Sequence, residues 1–164
     1  MASRGTPKEF IVDVERWCAK AKLAPAIVIV DTIQTMNEEI VTRWPVLTGF
    51  SRGSWFAQIG ERPGGQGGVG QDSLARCNFV AATMQMGQVY YMGNTAEYAL
   101  RLELGFVGQD SLGREYNQRG RYIVTTVVGQ ASAYTKAAIA RLKAGNARGP
   151  NPGGGGAVPG RGIV

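Results

Sequence analysis

Apolar side chains near the start of the chain recur at steps of three or four residues, with one step of five. The positions are Phe10, Val14, Trp17, Ala21, Ala24, Val28, Ile33, Met36 and Ile40. This spacing places roughly one side chain per turn on the same face of an α-helix. The pattern therefore predicts one long helix from Pro7 to about Arg43.

Local signals mark the two ends of this helix and one interruption. Thr6 stands before a proline and can act as an N-cap, with Glu9 three residues later completing a capping box. Pro25 has no N–H and clashes with the preceding turn, so we expect a bend or break just before it. The pair Trp44 and Pro45 is predicted to end the helix.

Shorter patterns follow in the middle of the chain. After a turn at Thr48–Gly49, the segment from Ser51 to Gly60 alternates well enough to predict a strand. Further strands are predicted at about Leu74–Met84 and Gln88–Met92. The intervening segment Glu61–Asp72 is too glycine-rich to carry a core, which predicts an exposed and mobile loop. Together these segments predict a central antiparallel β-sheet.

The second half of the chain is less regular. Residues 95–105 predict a short helix or turn, and residues 106–120 a second polar loop. The β-branched run at 122–128 fits either a strand or a helix, whereas the apolar spacing from Ala131 to Leu142 predicts a helix. Residues 146–164 are rich in glycine and proline and are expected to be disordered on their own.

Composition sets the class of the protein. A chain of 164 residues with 44% apolar content suits one compact domain. We therefore expect an α+β domain over residues 1–145, with a long N-terminal helix, a central antiparallel sheet and a C-terminal helix, followed by the tail 146–164. No apolar run approaches the roughly 20 residues that cross a bilayer, and no export segment opens the chain. Synthesis in the cytoplasm without membrane attachment is expected.

Side chains that usually carry chemistry are scarce. The chain has no histidine, which argues against most hydrolytic sites and zinc sites. Glu38 and Glu39 have no neighbour that would tune one carboxylate, so a solvated helix face is expected. The glycine pattern at 65–70 lacks the strand, helix and lysine that a nucleotide loop needs. Cys18 and Cys77 share no metal-type spacing and are expected to be reduced and buried. We expect no enzyme activity, metal or cofactor.

Positive charge is concentrated late in the chain. Of the 18 basic side chains, 9 lie after residue 100, compared with 3 of the 12 acidic ones. Arg114, Arg119 and Arg121 form the most distinctive cluster, which fits a solvated loop, DNA contact or an acidic neighbouring subunit. With a pI of about 9.6, a stand-alone nucleic-acid-binding domain is one reading of this sequence. Trp17, Trp44 and Trp55 favour core packing over base stacking.

Two ordered motifs resemble a known family. The segment Pro45–Trp55, with Pro45, Thr48, Gly49 and Arg52, resembles the Pro-Val-x-Thr-Gly-x-Leu-Arg-x-Ser signature of phage minor-tail, neck and tail-completion proteins. Downstream, a second segment resembles that family's Asn-x-x-x-Tyr-Ala-x-x-x-Glu-x-Gly block. Its matching residues are Asn94, Tyr98, Ala99, Glu103 and Gly105. The resemblance covers about residues 7–143, although Arg121–Thr125 replaces a proline-rich segment common in the family.

The resemblance implies a structural virion protein without enzymatic activity. It implies a homo-oligomeric ring, with six copies expected, at the head–tail junction of a long-tailed bacteriophage. Such a ring acts as a tail completion, tail terminator or neck protein, and contacts the tail tube protein and the head–tail connector or adaptor proteins. Genomic double-stranded DNA in the channel is a further partner, contacted without sequence preference by Arg114, Arg119 and Arg121. We also expect Glu103 to be semi-buried and paired with Arg52 or Arg101.

Overall fold

The computed structural model describes the backbone of residues 7–150 and the side chains of residues 23–150. Six helices and four strands follow one another in these residues. In chain order they are α1 (Pro7–Arg43), α2 (Phe50–Gly53), β1 (Trp55–Ile59), α3 (Ser73–Ala82), β2 (Tyr90–Asn94), α4 (Ala99–Leu104), β3 (Gly105–Gln109), β4 (Glu115–Arg119), α5 (Ile123–Gly129) and α6 (Ala131–Lys143). The fold is α+β, as the sequence predicts.

The long helix α1 runs without interruption from Pro7 to Arg43, so the break expected before Pro25 does not occur. A proline removes one intrahelical hydrogen bond and leaves the bonds on either side in place. Pro25 is exposed, where its ring meets no packed neighbour. The helix ends before Trp44, as predicted, and contacts α3, α5 and α6. The side chains of Thr6, Glu9, Trp17 and Cys18 lie outside the described residues.

The core lies where α1 meets β1, α3 and α5. Trp44 and Trp55 are both buried, with ring centroids 4.9 Å apart in an edge-to-face arrangement. Their predicted role in the core is confirmed. The cluster around them consists of Ile40, Val41, Cys77, Ala96, Ala99 and Val127. The Trp44 indole donates to the Ser51 hydroxyl at 2.8 Å, which satisfies the buried N–H.

Two small antiparallel sheets replace the single central sheet that the sequence predicts. In the first, β1 pairs with β2, with Trp55 opposite Asn94 and Ile59 opposite Tyr90. In the second, β3 pairs with β4 in a hairpin, with Gly105 opposite Arg119. Each sheet has two strands, so no strand of the described chain covers the outer edges.

The strand predicted at about Leu74–Met84 is wrong, because this segment forms the helix α3. Asp72 is its N-cap, and its carboxylate accepts from the Ala75 N–H at 2.9 Å. Ser73, Cys77 and Ala81 are buried at four-residue spacing, which is the period of a helix face. Small side chains at these positions weaken the hydrophobic signal, and the larger Leu74, Phe79 and Val80 obscure it.

The polar loop predicted at 106–120 is also wrong, because most of it forms the β3–β4 hairpin. Asp110 builds the connecting turn: its carboxylate accepts from the N–H groups of Leu112 and Arg114, at 2.9 and 3.0 Å, and from the Arg114 side chain and the Tyr116 hydroxyl. The backbone N–H of Arg114, above all, lowers the pKa of Asp110. Sequence periodicity missed the hairpin because polar residues occupy both of its faces.

The C-terminal region settles the choice between strand and helix that the sequence leaves open at residues 122–128. Residues 123–129 form the helix α5 rather than a strand, and α6 forms as predicted. The first residues of the expected tail do pack on the domain, since Ala147 is buried and the Arg148 guanidinium lies 2.6 Å from the Glu38 carboxylate. Glu38 and Glu39 are partly exposed and paired with arginines, which fits a solvated helix face. Residues 151–164 lie outside the described residues.

The glycine-rich loop, residues 61–72, has no regular structure and an exposed outer side, but its inner side packs on β1. A side chain at Gly67 would overlap the Ser54 side chain and lie 2.7 Å from the Ser54 Cα. A side chain at Gly65 would enter the Phe56 ring, and Pro63 is buried. The glycines therefore allow a close approach of two chain segments, which a freely mobile loop would not need.

We expect Gly67→Ala to lower the free energy of unfolding by about 1–3 kcal/mol, because the added methyl group forces backbone and Ser54 apart. Gly64→Ala is the matched control, since a side chain there meets nothing within 4 Å. Urea unfolding of both variants measures the difference. Equal midpoints for the two variants would show that the loop is not held against β1.

The buried Cys77 thiol gives stability a dependence on alkaline pH. Burial raises its pKa from 9.0 to about 11, and burial also raises the pKa of the neighbouring Tyr90 hydroxyl. Above pH 9 the unfolded thiol loses its proton while the folded thiol keeps it. The unfolded state then binds fewer protons, so stability is fully present below this pH and falls as pH rises towards 11.

We therefore expect the free energy of unfolding to fall between pH 9 and about 11, by up to about 1.4 kcal/mol per pH unit for one proton. Cys77→Ala should remove the part of this decline that begins near pH 9, and the part due to the Tyr90 hydroxyl should remain. Urea unfolding at several pH values measures both curves. An unchanged slope in the variant would assign the decline to other groups.

Candidate interaction site

The first sequence motif forms the junction between α1 and β1. Gly49 adopts φ 86°, a left-handed conformation that starts α2, and the Thr48 hydroxyl accepts from the Phe50 N–H at 3.3 Å. The Arg52 guanidinium donates to the carbonyls of Thr42 and Trp44, at 3.0 and 2.9 Å. Carbonyls at a helix C-terminus have no intrahelical partner, so Arg52 satisfies the end of α1.

The second motif meets the first at the same junction. The Asn94 amide donates to the Ser51 carbonyl at 2.7 Å, and its oxygen accepts from the Ala96 N–H at 3.0 Å. The Thr95 N–H donates to the Ser54 carbonyl at 2.9 Å. Trp55 lies opposite Asn94 in the sheet, and Pro45 is half-buried beside the junction. The structure thus brings both motifs together, in hydrogen bonds that hold the fold.

Glu103 has different partners from the arginines that the sequence predicts. Its carboxylate is 9% exposed and accepts from the backbone N–H groups of Ile123, Val124 and Thr125, at 2.9 to 3.2 Å. The Thr125 hydroxyl donates to it as well, at 3.0 Å. Glu103 therefore satisfies the N-terminus of α5, where unpaired N–H groups favour a negative charge. The expected pairing with Arg52 or Arg101 is wrong.

Sequence reasoning missed this contact because its partners are about 20 residues away and carry no charge. Backbone donors leave no signal in the sequence, whereas Arg52 and Arg101 are conspicuous. The Arg101 guanidinium instead lies 4.3 Å from the centre of the Phe106 ring. Ala99 is buried, and Gly105 lies so close to β4 that a side chain would approach the Gln118 carbonyl to 2.6 Å.

The three arginines of the predicted contact cluster do not lie together. Arg114 is at the tip of the hairpin, where it pairs with Asp110 at 2.7 Å. Arg119 ends β4 at the base of the hairpin, and the Arg121 N–H donates to the Leu102 carbonyl in α4 at 2.9 Å. Across the described residues, the exposed side chains of Arg119 and Arg121 have no hydrogen bond or ion pair. Of these three arginines, the two without an ion pair therefore lie at the hairpin base.

Large apolar side chains are exposed at several places on the same molecule. Leu47 is 99% exposed, and Val107 and Leu112 of the hairpin are 78% and 75% exposed. Phe50 and Tyr98 line a shallow groove of about 440 Å³ between the glycine-rich loop and the start of α4. Exposed side chains of this kind can be buried by contact with another protein. Each of these places is therefore a candidate for binding.

The described residues also bear on membrane and metal binding. Within residues 7–150, no helix combines the length and apolar character that a bilayer crossing requires. The described side chains include no group of three or more His, Cys, Asp or Glu that could hold a metal ion. Comparisons of the chain with family models, with curated proteins and with solved structures gave no match.

Proposed function

We propose that the protein is a structural subunit of a ring at the head–tail junction of a long-tailed bacteriophage. In this role, as a tail completion, tail terminator or neck protein, it joins the tail tube to the connector and encloses the DNA channel. Two ordered motifs of the sequence support this family reading. The observation that carries the proposal in the structure is the set of exposed apolar side chains, above all Leu47, Val107 and Leu112.

Exposed apolar side chains support the ring independently of the motifs. Contact with a neighbouring copy would remove Leu47, Val107 and Leu112 from water, and the burial of apolar area is favourable. Subunits of a ring cover such surfaces through two different faces, one on each side of the subunit. The projecting hairpin adds a second reason, since an isolated two-stranded sheet is marginally stable in water. Burial between copies would remove both costs.

Cryo-electron microscopy of purified virions tests the proposal. We expect a ring of this protein between the connector stack and the first ring of the tail tube, with several copies per virion. Absence of the protein from purified virions would overturn the family reading. A ring elsewhere in the tail would keep the structural class and correct the position.

A second candidate is DNA binding, favoured by the exposed and unpaired arginines at the hairpin base. Lys and Arg side chains that neutralise phosphates release counterions, so binding weakens as salt increases. We expect Arg119→Gln/Arg121→Gln to reduce the slope of log affinity against log salt by about 2. Arg114→Gln is the control, because Arg114 already pairs with Asp110.

The oligomeric form decides between the two candidates. DNA binding by the monomer with this salt slope would favour a stand-alone nucleic-acid-binding domain. DNA retention that depends on Arg119 and Arg121 only in assembled particles would place these side chains at the channel. Normal retention together with failed joining of heads and tails would assign them to contacts between subunits.

A further inference from the structure

The outer edge of β2 presents unpaired backbone groups. The Gly60 N–H donates to the Val89 carbonyl and the Thr95 N–H to the Ser54 carbonyl, both at 2.9 Å. In an antiparallel pair, alternate residues bond to the partner strand and the residues between them point away. With residues 89 and 95 bonded to β1, the N–H and C=O groups of Tyr90, Met92 and Asn94 point away from it. No described strand receives them.

The outer edge of β3 has the same character. The Asp110 N–H donates to the Arg114 carbonyl at 3.0 Å, which fixes the alternation along the hairpin. The N–H and C=O groups of Val107 and Gln109 therefore point away from β4, whereas the Gly105 N–H bonds to the Arg101 carbonyl at the end of α4. Both open edges are five residues long. The β2 edge offers backbone groups at its first, third and fifth positions, and the β3 edge offers both groups at its third and fifth positions.

The other two edges carry features that block strand addition. On β1, the Arg76 guanidinium donates to the carbonyls of Gly53 and Trp55, at 2.9 and 2.7 Å. On β4, Glu115 and Arg119 place charges along the strand. Proteins protect edge strands with charged side chains and with covering groups. By contrast, β2 and β3 contain no charged residue, so these are the two edges left open.

We propose that the β3 edge of one copy pairs antiparallel with the β2 edge of the next copy, with Val107 opposite Met92. This inference rests on the proposed ring and identifies its subunit contact. The two sheets then join into one four-stranded sheet across each subunit boundary. Because the two edges are different, the contact is head-to-tail, which is the kind that closes into a ring.

Side-chain size supports this register. With Val107 opposite Met92, Phe106 lies opposite Gly93, and Tyr91 lies opposite Gly108. Each aromatic residue thus faces a residue without a side chain, and aromatic residues are favourable partners of strand glycines. Shifting the register by one residue would place the free N–H and C=O groups of one edge opposite residues whose backbone groups already bond within the other sheet. The match of two aromatic residues with two glycines selects one alignment.

Charge supports the antiparallel direction. In that orientation the start of β3 meets the end of β2. Basic side chains surround the start of β3: Arg101, Arg119 and Arg121. The end of β2 is followed by Glu97, which is exposed and has no ion pair among the described residues. Complementary charges of this kind steer association and fix orientation. A parallel arrangement would place the arginines beside the uncharged start of β2.

Disulfide trapping tests the pairing directly. One full-length variant carries Met92→Cys and a second carries Val107→Cys, both with Cys18→Ser, and the native Cys77 is buried. Opposed residues of an antiparallel pair lie within the Cα separation that a disulfide spans. The two variants are mixed at protein concentrations up to millimolar and then oxidised. We expect a cross-linked dimer in the mixture and none with either variant alone. No cross-link in the mixture would overturn the pairing.

A second variant tests the backbone contact. Val107→Pro removes an N–H that points away from β4, so the hairpin ladder stays intact. Val107→Thr is the control, because it keeps the N–H and a similar shape. We expect the proline variant to lose assembly of its copies with one another and the threonine variant to assemble normally. Equal assembly of both variants would contradict the proposal.

The outcomes for this contact and for the proposed function are separate. Cross-linking in solution by a protein that is absent from virions would keep the strand pairing and refute the head–tail role. A ring in virions whose subunits show no cross-link between the introduced cysteines would refute the pairing and keep the role.

Discussion

Arg141→Met is expected to lower the free energy of unfolding by about 3 kcal/mol, because it strands a buried carboxylate. The Arg141 Nε lies 2.6 Å from the Asp31 Oδ2, and its Nη2 donates to the Thr35 hydroxyl at 3.0 Å. Asp31 is 0% exposed, and its Oδ1 has no hydrogen-bond partner among the described residues. Removing the guanidinium leaves this carboxylate without the charged partner that joins α1 to α6. Urea unfolding at neutral pH measures the loss.

A surface ion pair between α1 and the segment after α6 provides the control. Arg148 pairs with Glu38 at the same distance of 2.6 Å, but both side chains are about 40% exposed. Arg148→Met should therefore cost at most about 1 kcal/mol, as exposed ion pairs usually do. Asp31→Leu combined with Arg141→Met should recover most of the stability, because no charge is then buried. Equal losses in the free energy of unfolding for Arg141→Met and Arg148→Met would show that the buried Asp31 pair contributes no more than the exposed pair.

The parts of the fold that the sequence predicts correctly have apolar residues at the spacing of the element. Apolar residues at helical spacing predict α1 and α6, and alternation around Trp55 predicts β1. The buried face of α1 nevertheless includes polar side chains, those of Asp31, Gln34 and Asn37. The wrong segments lack an apolar pattern, because the buried face of α3 consists of small residues and the hairpin has both faces largely in solvent. Periodicity therefore predicts a strand only where one of its faces is buried in the fold.

The predicted site residues divide in the same way. Thr48, Gly49 and Arg52 of the first motif make hydrogen bonds to residues at most ten positions away, which short-range spacing can suggest. The Asn94 amide instead donates to the Ser51 carbonyl, 43 positions away. The partners of Glu103 are backbone donors of a distant helix, and no spacing rule identifies them. The open edges of β2 and β3 depend on which backbone groups are already bonded, and only the three-dimensional structure gives this. Short motifs therefore predict part of how this fold is held, whereas its long-range contacts need the structure.

Glu103→Ala is the second variant with a large expected effect, at about 3 kcal/mol of lost stability. Loss of a helix cap costs up to about 2 kcal/mol, and hydrogen bonds to a charged group contribute more than neutral ones. Here one buried carboxylate serves three N–H groups and one hydroxyl. Alanine would leave these donors without a partner at the start of α5. Tyr122, held at φ 51° just before the helix, would lose part of its support.

Two further variants make this expectation specific. Glu103→Gln keeps one acceptor oxygen and the same shape, so it should retain roughly half of the stabilisation. Glu97→Ala removes an exposed carboxylate and should change the free energy of unfolding by at most about 0.5 kcal/mol. Hydrogen exchange should speed up at Ile123, Val124 and Thr125 in the alanine variant, since their N–H groups lose their acceptor. Because Glu103 sits in α4 directly before β3, the same variant should also loosen the base of the hairpin. A Glu103→Ala protein with unchanged exchange at α5 would show that the helix start is held by other contacts.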